Sequence, residues 1–285
     1  MLVGDPATLV RRLLDHGGPL LLGLDLPLGL PRAYAAGRPE AGFLPFLRDL
    51  SWTPGFFQVA AGLEEVSAQR PFYPARGTKG MTRAAHAAAL GMDGAGGLSR
   101  LCDLATTERP AGAPLFWTLG ANQTGKAAIS AWRDWLSPAL AAGLPYRLWP
   151  FEGLVRDLLA PGVAVLAETY PAEAMRHLGV KLSGSKRARE ARLAAAPSLH
   201  LAMARLGVRP GAALRQAMEN GFGTDAVAED RFDSLLGLLC VVGVLSGARP
   251  DVVPEDPWVR TWEGWVLGQA AIPAHPAPIP YAAGL

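Results

Sequence analysis

The sequence predicts an α/β fold, and two apolar runs carry most of that prediction. Leu20–Asp25 and Val163–Thr169 are short, continuous apolar stretches, the pattern of strands in a sheet covered on both faces. Each ends on an acid, Asp25 and Glu168, and each is soon broken by proline, at Pro27 and Pro171. A helical pattern stands before the first run and after the second, the alternation of an α/β unit. A carboxylate at the end of a buried strand is costly unless it is paired or holds a cation. The carboxyl ends of strands are also where open α/β sheets place their chemistry. A plainer reading of Asp25 is a loop residue that hydrogen-bonds its own turn.

Composition sets the bounds. The chain has 285 residues, half of them hydrophobic and 18% charged, enough to build one sizeable core over 1–285. A net charge of +2 argues against a broad polyanion-binding surface and leaves room for a local basic groove. Cys102 and Cys240 form no disulfide framework and no ligand spacing, so they are expected as reduced core residues of a cytoplasmic protein. The first residues lack the layout of a signal peptide, and Leu235–Leu245 is too short to span a bilayer.

In chain order, Asp5 and Pro6 announce a helix, with Asp as cap and Pro in the first turn. The first strand follows. Residues 32–112 then change character to Gly, Pro, Ala, Arg and scattered aromatics, which reads as a largely helical insertion with short helices near 42–50 and 82–90. Within it, the basic and aromatic run 72–83 suits phosphates and bases, or is simply a solvated loop. Leu115–Leu119 reads as a strand leading into Gly120–Lys126 and a helix over 127–140. That loop fits the G-x-x-x-x-G-K pattern, but Ala127 stands where a metal-binding hydroxyl is needed. What survives is a local anion site at Gln123 and Lys126. Residues 146–153 read as an aromatic turn. Lys181–Arg192 is the most basic run and offers Lys186 and Arg189 to a phosphate backbone, or forms a solvated charged face. Helices are expected over 197–206, 211–219 and, most apolar of all, 228–246. Asp230 and Asp233 open that last helix three residues apart, either as capping acids or as a pair on one face. A short amphipathic piece over 258–269 and a proline-rich tail over 272–285 end the chain.

Asp25, Glu168, Asp230 and Asp233 are thus the acids in unfavourable places. Gathered in one crevice they need a hard cation, and Mg²⁺ or Mn²⁺ suits an all-oxygen site. Two such ions about 4 Å apart can activate water and stabilise a leaving oxygen in phosphodiester hydrolysis. The five histidines show no ligand spacing.

Residues 23–31 (GLDLPLGLP), 166–174 (LAETYPAEA) and 229–239 (EDRFDSLLGLL) resemble the motifs of the DUF429 family, predicted nucleases with an RNase H-like fold. The stretches FWTLGANQTGKAAISAWRDWL, RLWPFEG and WEGWVLGQ resemble one branch of it. The resemblance implies a mixed sheet flanked by helices and a carboxylate metal site. It matches Asp25 to a central-strand acid, Glu168 to the acid of the next strand, and Asp230 and Asp233 to a pair on the C-terminal helix. It also implies a leading β-hairpin carrying a further aspartate. This chain begins at the helix after that hairpin, so its first strands are expected to be missing and one sheet edge open.

Three functions follow. The first is a metal-dependent nuclease acting on DNA or RNA. The second is a catalytically inactive module that binds nucleic acid or a protein partner. The third is a nucleotide-binding protein using Gly120–Lys126.

Overall fold

The computed structural model describes residues 5–50, 53, 55–77, 79–119 and 124–273. Its helices are α1 (Pro6–Leu14), α2 (Arg32–Ala35), α3 (Phe43–Asp49), α4 (Arg83–Ala89), α5 (Thr124–Ala131), α6 (Ser137–Ala141), α7 (Val155–Leu158), α8 (Pro171–Leu178), α9 (Arg189–Ala194), α10 (Ala196–Arg205), α11 (Ala212–Glu219) and α12 (Ala228–Leu245). The strands are β1 (Leu20–Leu24), β2 (Tyr146–Leu148) and β3 (Ala164–Glu168), in the order β1-β3-β2. Both pairings are parallel, so the described sheet is not the mixed one that the resemblance implies.

Local chemistry explains the element ends. Asp5 accepts from the backbone N–H of Thr8 at 2.8 Å, and Pro6 opens α1. Thr82 Oγ1 accepts from the Ala85 N–H at 3.1 Å and caps α4. Gly179 closes α8 in the left-handed region, at φ 70°, where glycine carries no Cβ penalty.

Two expected elements differ. Leu115–Leu119 is not a strand: Trp117 makes a single bridge to Tyr73, and Leu115 and Phe116 are spent as fully buried core side chains. The aromatic stretch at 146 instead contains β2, and its Trp149 N–H continues the ladder to the Leu166 carbonyl. Beyond α5 the helix widens into a π-helical turn over Trp132–Leu136, and a second such turn spans Val259–Glu263.

The sheet is a middle layer. Ala164 and Leu166 of β3 join one apolar cluster, with Phe43, Phe46, Phe56 and Phe72 from 32–112, so that segment packs into the core rather than standing apart. Val165 and Ala167 join another, with Trp149, Val241, Val244 and Trp265. A third cluster, with Met203, Met218, Phe222 and Phe232, holds α8 and α10–α12 together. β3 is buried along its length, whereas β1 is the half-exposed edge of the described sheet. Both cysteines are buried and free. None of the described helices is long and apolar enough to cross a membrane. Most of the proline-rich tail, 274–285, lies outside the described residues.

Candidate functional site

β1 and β3 run parallel, with Leu24 opposite Glu168, so both deliver an acid to the same end of the sheet. Pleating then separates them. Paired residues share a face and neighbours alternate. Glu168 therefore follows Ala164 and Leu166 to one face, while Asp25 follows Gly23 to the face covered by α12.

A cavity of about 260 Å³ opens at this end. Asp25, Glu168, Asp233, Glu229, Lys186, Arg100 and Tyr170 line it. A second hollow of about 400 Å³ shares Asp25 and Asp233 and adds Asp230 and Ser234. Asp25 and Asp233 thus form the wall between the two.

Glu168 is already compensated. Arg100, 1% exposed, donates Nη1 to its Oε2 at 2.6 Å and Nη2 to its Oε1 at 2.7 Å. The Leu28 N–H donates to the same Oε2 at 2.8 Å. Arg100 also grips Asp103 through Nε and Nη2. Burial still raises the Glu168 carboxyl above its usual range, against the pull of Arg100.

Asp233 differs. Its Oδ2 accepts from Lys186 Nζ at 2.5 Å, while its Oδ1 is buried with no partner among the described residues. No side chain caps α12, so the capping role expected as an alternative for Asp230 and Asp233 is not used. Burial raises the Asp233 carboxyl, although Lys186 opposes it. Lys186 is raised too: burial works against its charge, but the Asp233 hydrogen bond and the charges of Asp233, Glu229 and Asp25 together outweigh it. Both groups are raised, which disfavours the Asp233 carboxylate through burial and favours the Lys186 ammonium through the surrounding acids.

Asp25 keeps solvent contact through the cleft, yet the surrounding chain removes enough water that burial pushes its carboxyl up to about 7. The Asp233 charge is the next cause; Glu168 and Asp230 add to it and Lys186 opposes.

Asp25, Glu168 and Asp233 therefore line one cavity, Asp230 lines only the neighbouring hollow, and no three of their oxygens come within 4.8 Å of one another. Among the described residues, only Glu108, Glu173 and His177 bring three ligand atoms within 4.8 Å of one another. There Glu173 is already engaged, by Arg109 at 2.9 Å and His177 at 2.7 Å.

The expected cations fare unevenly. Lys186 lines the cleft. Arg189 does not: its Nε donates to the Asn220 carbonyl at 2.8 Å and braces a neighbouring loop. Thr124 and Ala127 of α5 line the cleft, whereas Lys126 is exposed and turned from them by the 100° advance per helical residue. Gln123 and the rest of the loop 120–123 lie outside the described residues. Sequence reasoning missed Arg100, Asp103 and Glu229. The usable signal was a cation and an acid three apart, Arg100 and Asp103, within an otherwise apolar turn.

No protein-family model matches the chain, and no curated protein or solved structure does.

Proposed function

We propose that the chain is a metal-dependent phosphodiesterase of nucleic acid, on a fold related to the RNase H-like DUF429 family. Mg²⁺ or Mn²⁺ would be held by Asp25 and Asp233, with Asp230 beside them. One observation carries this reading: Asp233 Oδ1 is a buried, unpartnered carboxylate oxygen, set in a surplus of negative charge beside Asp25. A hard dication satisfies both the orphaned oxygen and the charge. When bound, it supplies Lewis acidity and a water of lowered pKa. Arg100 holds both Glu168 oxygens in hydrogen bonds and fixes the carboxyl at the floor of the cleft. Tyr170 lines its wall with the Arg109 guanidinium 5.3 Å from its ring centroid.

The pairing of Glu168 with Arg100 favours a second reading, a module that binds nucleic acid without cutting it. Paired melting curves and a cleavage assay on labelled oligonucleotides separate the two. Mn²⁺ at about 100 times its Kd stabilises by about 2.7 kcal/mol. With a melting entropy of about 0.6 kcal/mol/K for 285 residues, that raises the Tm by about 4.5 °C. Asp233→Asn is expected to melt no lower than the parent without metal, to lose the Mn²⁺ response and to cut nothing. An equal Mn²⁺ response in both proteins would return Asp233 to a structural role. A metal response without cleavage by the parent would favour the binding module.

A further inference from the structure

Lys186 sits where a cation is wanted. Its Nζ lies 2.5 Å from Asp233 Oδ2 and 3.3 Å from Glu229 Oε1. Arg187 Nε approaches the other oxygen of Glu229 at 3.5 Å. The ammonium satisfies one oxygen of Asp233 and leaves the other, buried, without a partner. The Lys186 ammonium thus stands among Asp25, Glu229 and Asp233, and it satisfies Asp233 only in part.

Its placement is built. Arg192, 2% exposed, donates Nη1 to the carbonyls of Lys186 and Arg187 at 2.6 and 2.9 Å. The same guanidinium reaches the carbonyls of Gly221 and Gly223 at 2.9 and 2.8 Å. A buried arginine therefore pins the backbone of the 181–188 loop against the loop before α12. The Lys186 side chain is free to swing about that fixed point. It is 34% exposed, so the ammonium has a way out to water.

Resting on the function proposed above, we infer that Lys186 is a resident counter-ion which a divalent metal must displace. The ammonium and the metal need the same lone pairs on Asp233. Without metal, the lysine holds the acids together. With metal, it moves to the mouth of the cleft, where it meets a substrate phosphate as a point charge. The site's affinity for metal is then set by an exchange between two cations, and substrate and metal are recruited in concert.

The test is calorimetric titration of the protein with MnCl₂, without substrate, on the parent, Lys186→Met and Lys186→Arg. Lys186→Met removes the competitor and is expected to bind Mn²⁺ about tenfold more tightly than the parent, the scale for losing a partly buried ion pair. Lys186→Arg keeps a cation with a forked grip on the carboxylate, and is expected to bind Mn²⁺ more weakly. The opposite ordering covers the case in which one variant folds poorly. Equal or weaker binding by Lys186→Met, or an unchanged affinity in Lys186→Arg, overturns the exchange and leaves the metal site standing. Absence of Mn²⁺ binding in the parent and both variants overturns the metal site as well.

Discussion

Replacing Arg100 by methionine puts a number on the bolt behind the cleft. The substitution keeps the bulk of the stem and removes a guanidinium that makes two contacts to Asp103 and two to Glu168. Asp103 and Glu168 are 8% and 6% exposed, so both charges are left stranded. Breaking a buried pair in this way costs about 3–5 kcal/mol. At about 2.1 cal/mol/K per residue over 285 residues, the melting entropy is about 0.6 kcal/mol/K, so the expected fall in Tm is about 5–8 °C. The loss depends on pH with a definite sign. Glu168 already titrates above its usual value, and without Arg100 it is raised further. A folded carboxyl raised above its unfolded value confers stability at low pH that is lost as pH rises, so the deficit of Arg100→Met grows with pH. Adding Glu168→Gln removes one stranded charge and is expected to restore part of the loss. The assay is thermal melting followed by circular dichroism, with urea midpoints as a check. A Tm within about 1 °C of the parent, against the loss expected for a broken buried pair, would refute the reasoning. So would a double variant no more stable than Arg100→Met alone.

Two further outcomes follow from the site and its supports. Asp25 titrates at about 7 against an ordinary 3.8, so its proton stabilises the fold fully below the unfolded value and is lost as pH rises through about 7. Asp25→Asn, melted in EDTA, is therefore expected to gain on the parent between pH 5 and pH 8; a gap that narrows over that range would contradict the assignment. Gly29 holds φ 137°, and a Cβ there would meet the Glu263 carbonyl oxygen at 2.0 Å. Because the obstacle is backbone, Gly29→Ala is expected to cost about 3 kcal/mol or more, read from the urea midpoint; a native midpoint would show that the loop after β1 can relax.

Much of the fold is legible because its signals are local. Asp5–Pro6 and Thr82 announce helices by cap chemistry, and the run from Leu235 announces the most buried helix by composition. β1 and β3 show as apolar runs closed by an acid and a proline. β2 escaped because its three residues precede Trp149–Pro150 and read as part of a turn. Leu115–Leu119 misled because a buried apolar run has the same composition whether it pairs in a sheet or only fills a core. At the site, the gathering of Asp25, Glu168 and Asp233 was readable from their placement at strand ends and a helix start. Their mutual orientation was not. It depends on the register of β1 against β3, a long-range quantity, and on the bend that turns Asp25 toward α12 while Glu168 is taken by Arg100. The contact of Arg100 with Glu168, of Glu229 with Lys186 and of Arg192 with Gly221 and Gly223 also spans long sequence separations, where spacing rules say nothing.

α12 belongs to two apolar clusters at once. Phe232, Leu235, Leu236 and Leu239 pack with α8, α10 and α11, while Val241 and Val244 pack under the sheet. Asp233 lies on the first half and Asp25 at the end of β1. The acid pair therefore sits at a junction between two packed parts of the chain. Opening of the helical part alone would draw Asp233 and Lys186 away from Asp25. A cation that binds only the assembled junction adds its binding free energy to the closure of the helical part. On the proposed metal site, added Mn²⁺ is then expected to slow amide exchange in α8–α11, helices that contribute no proposed ligand.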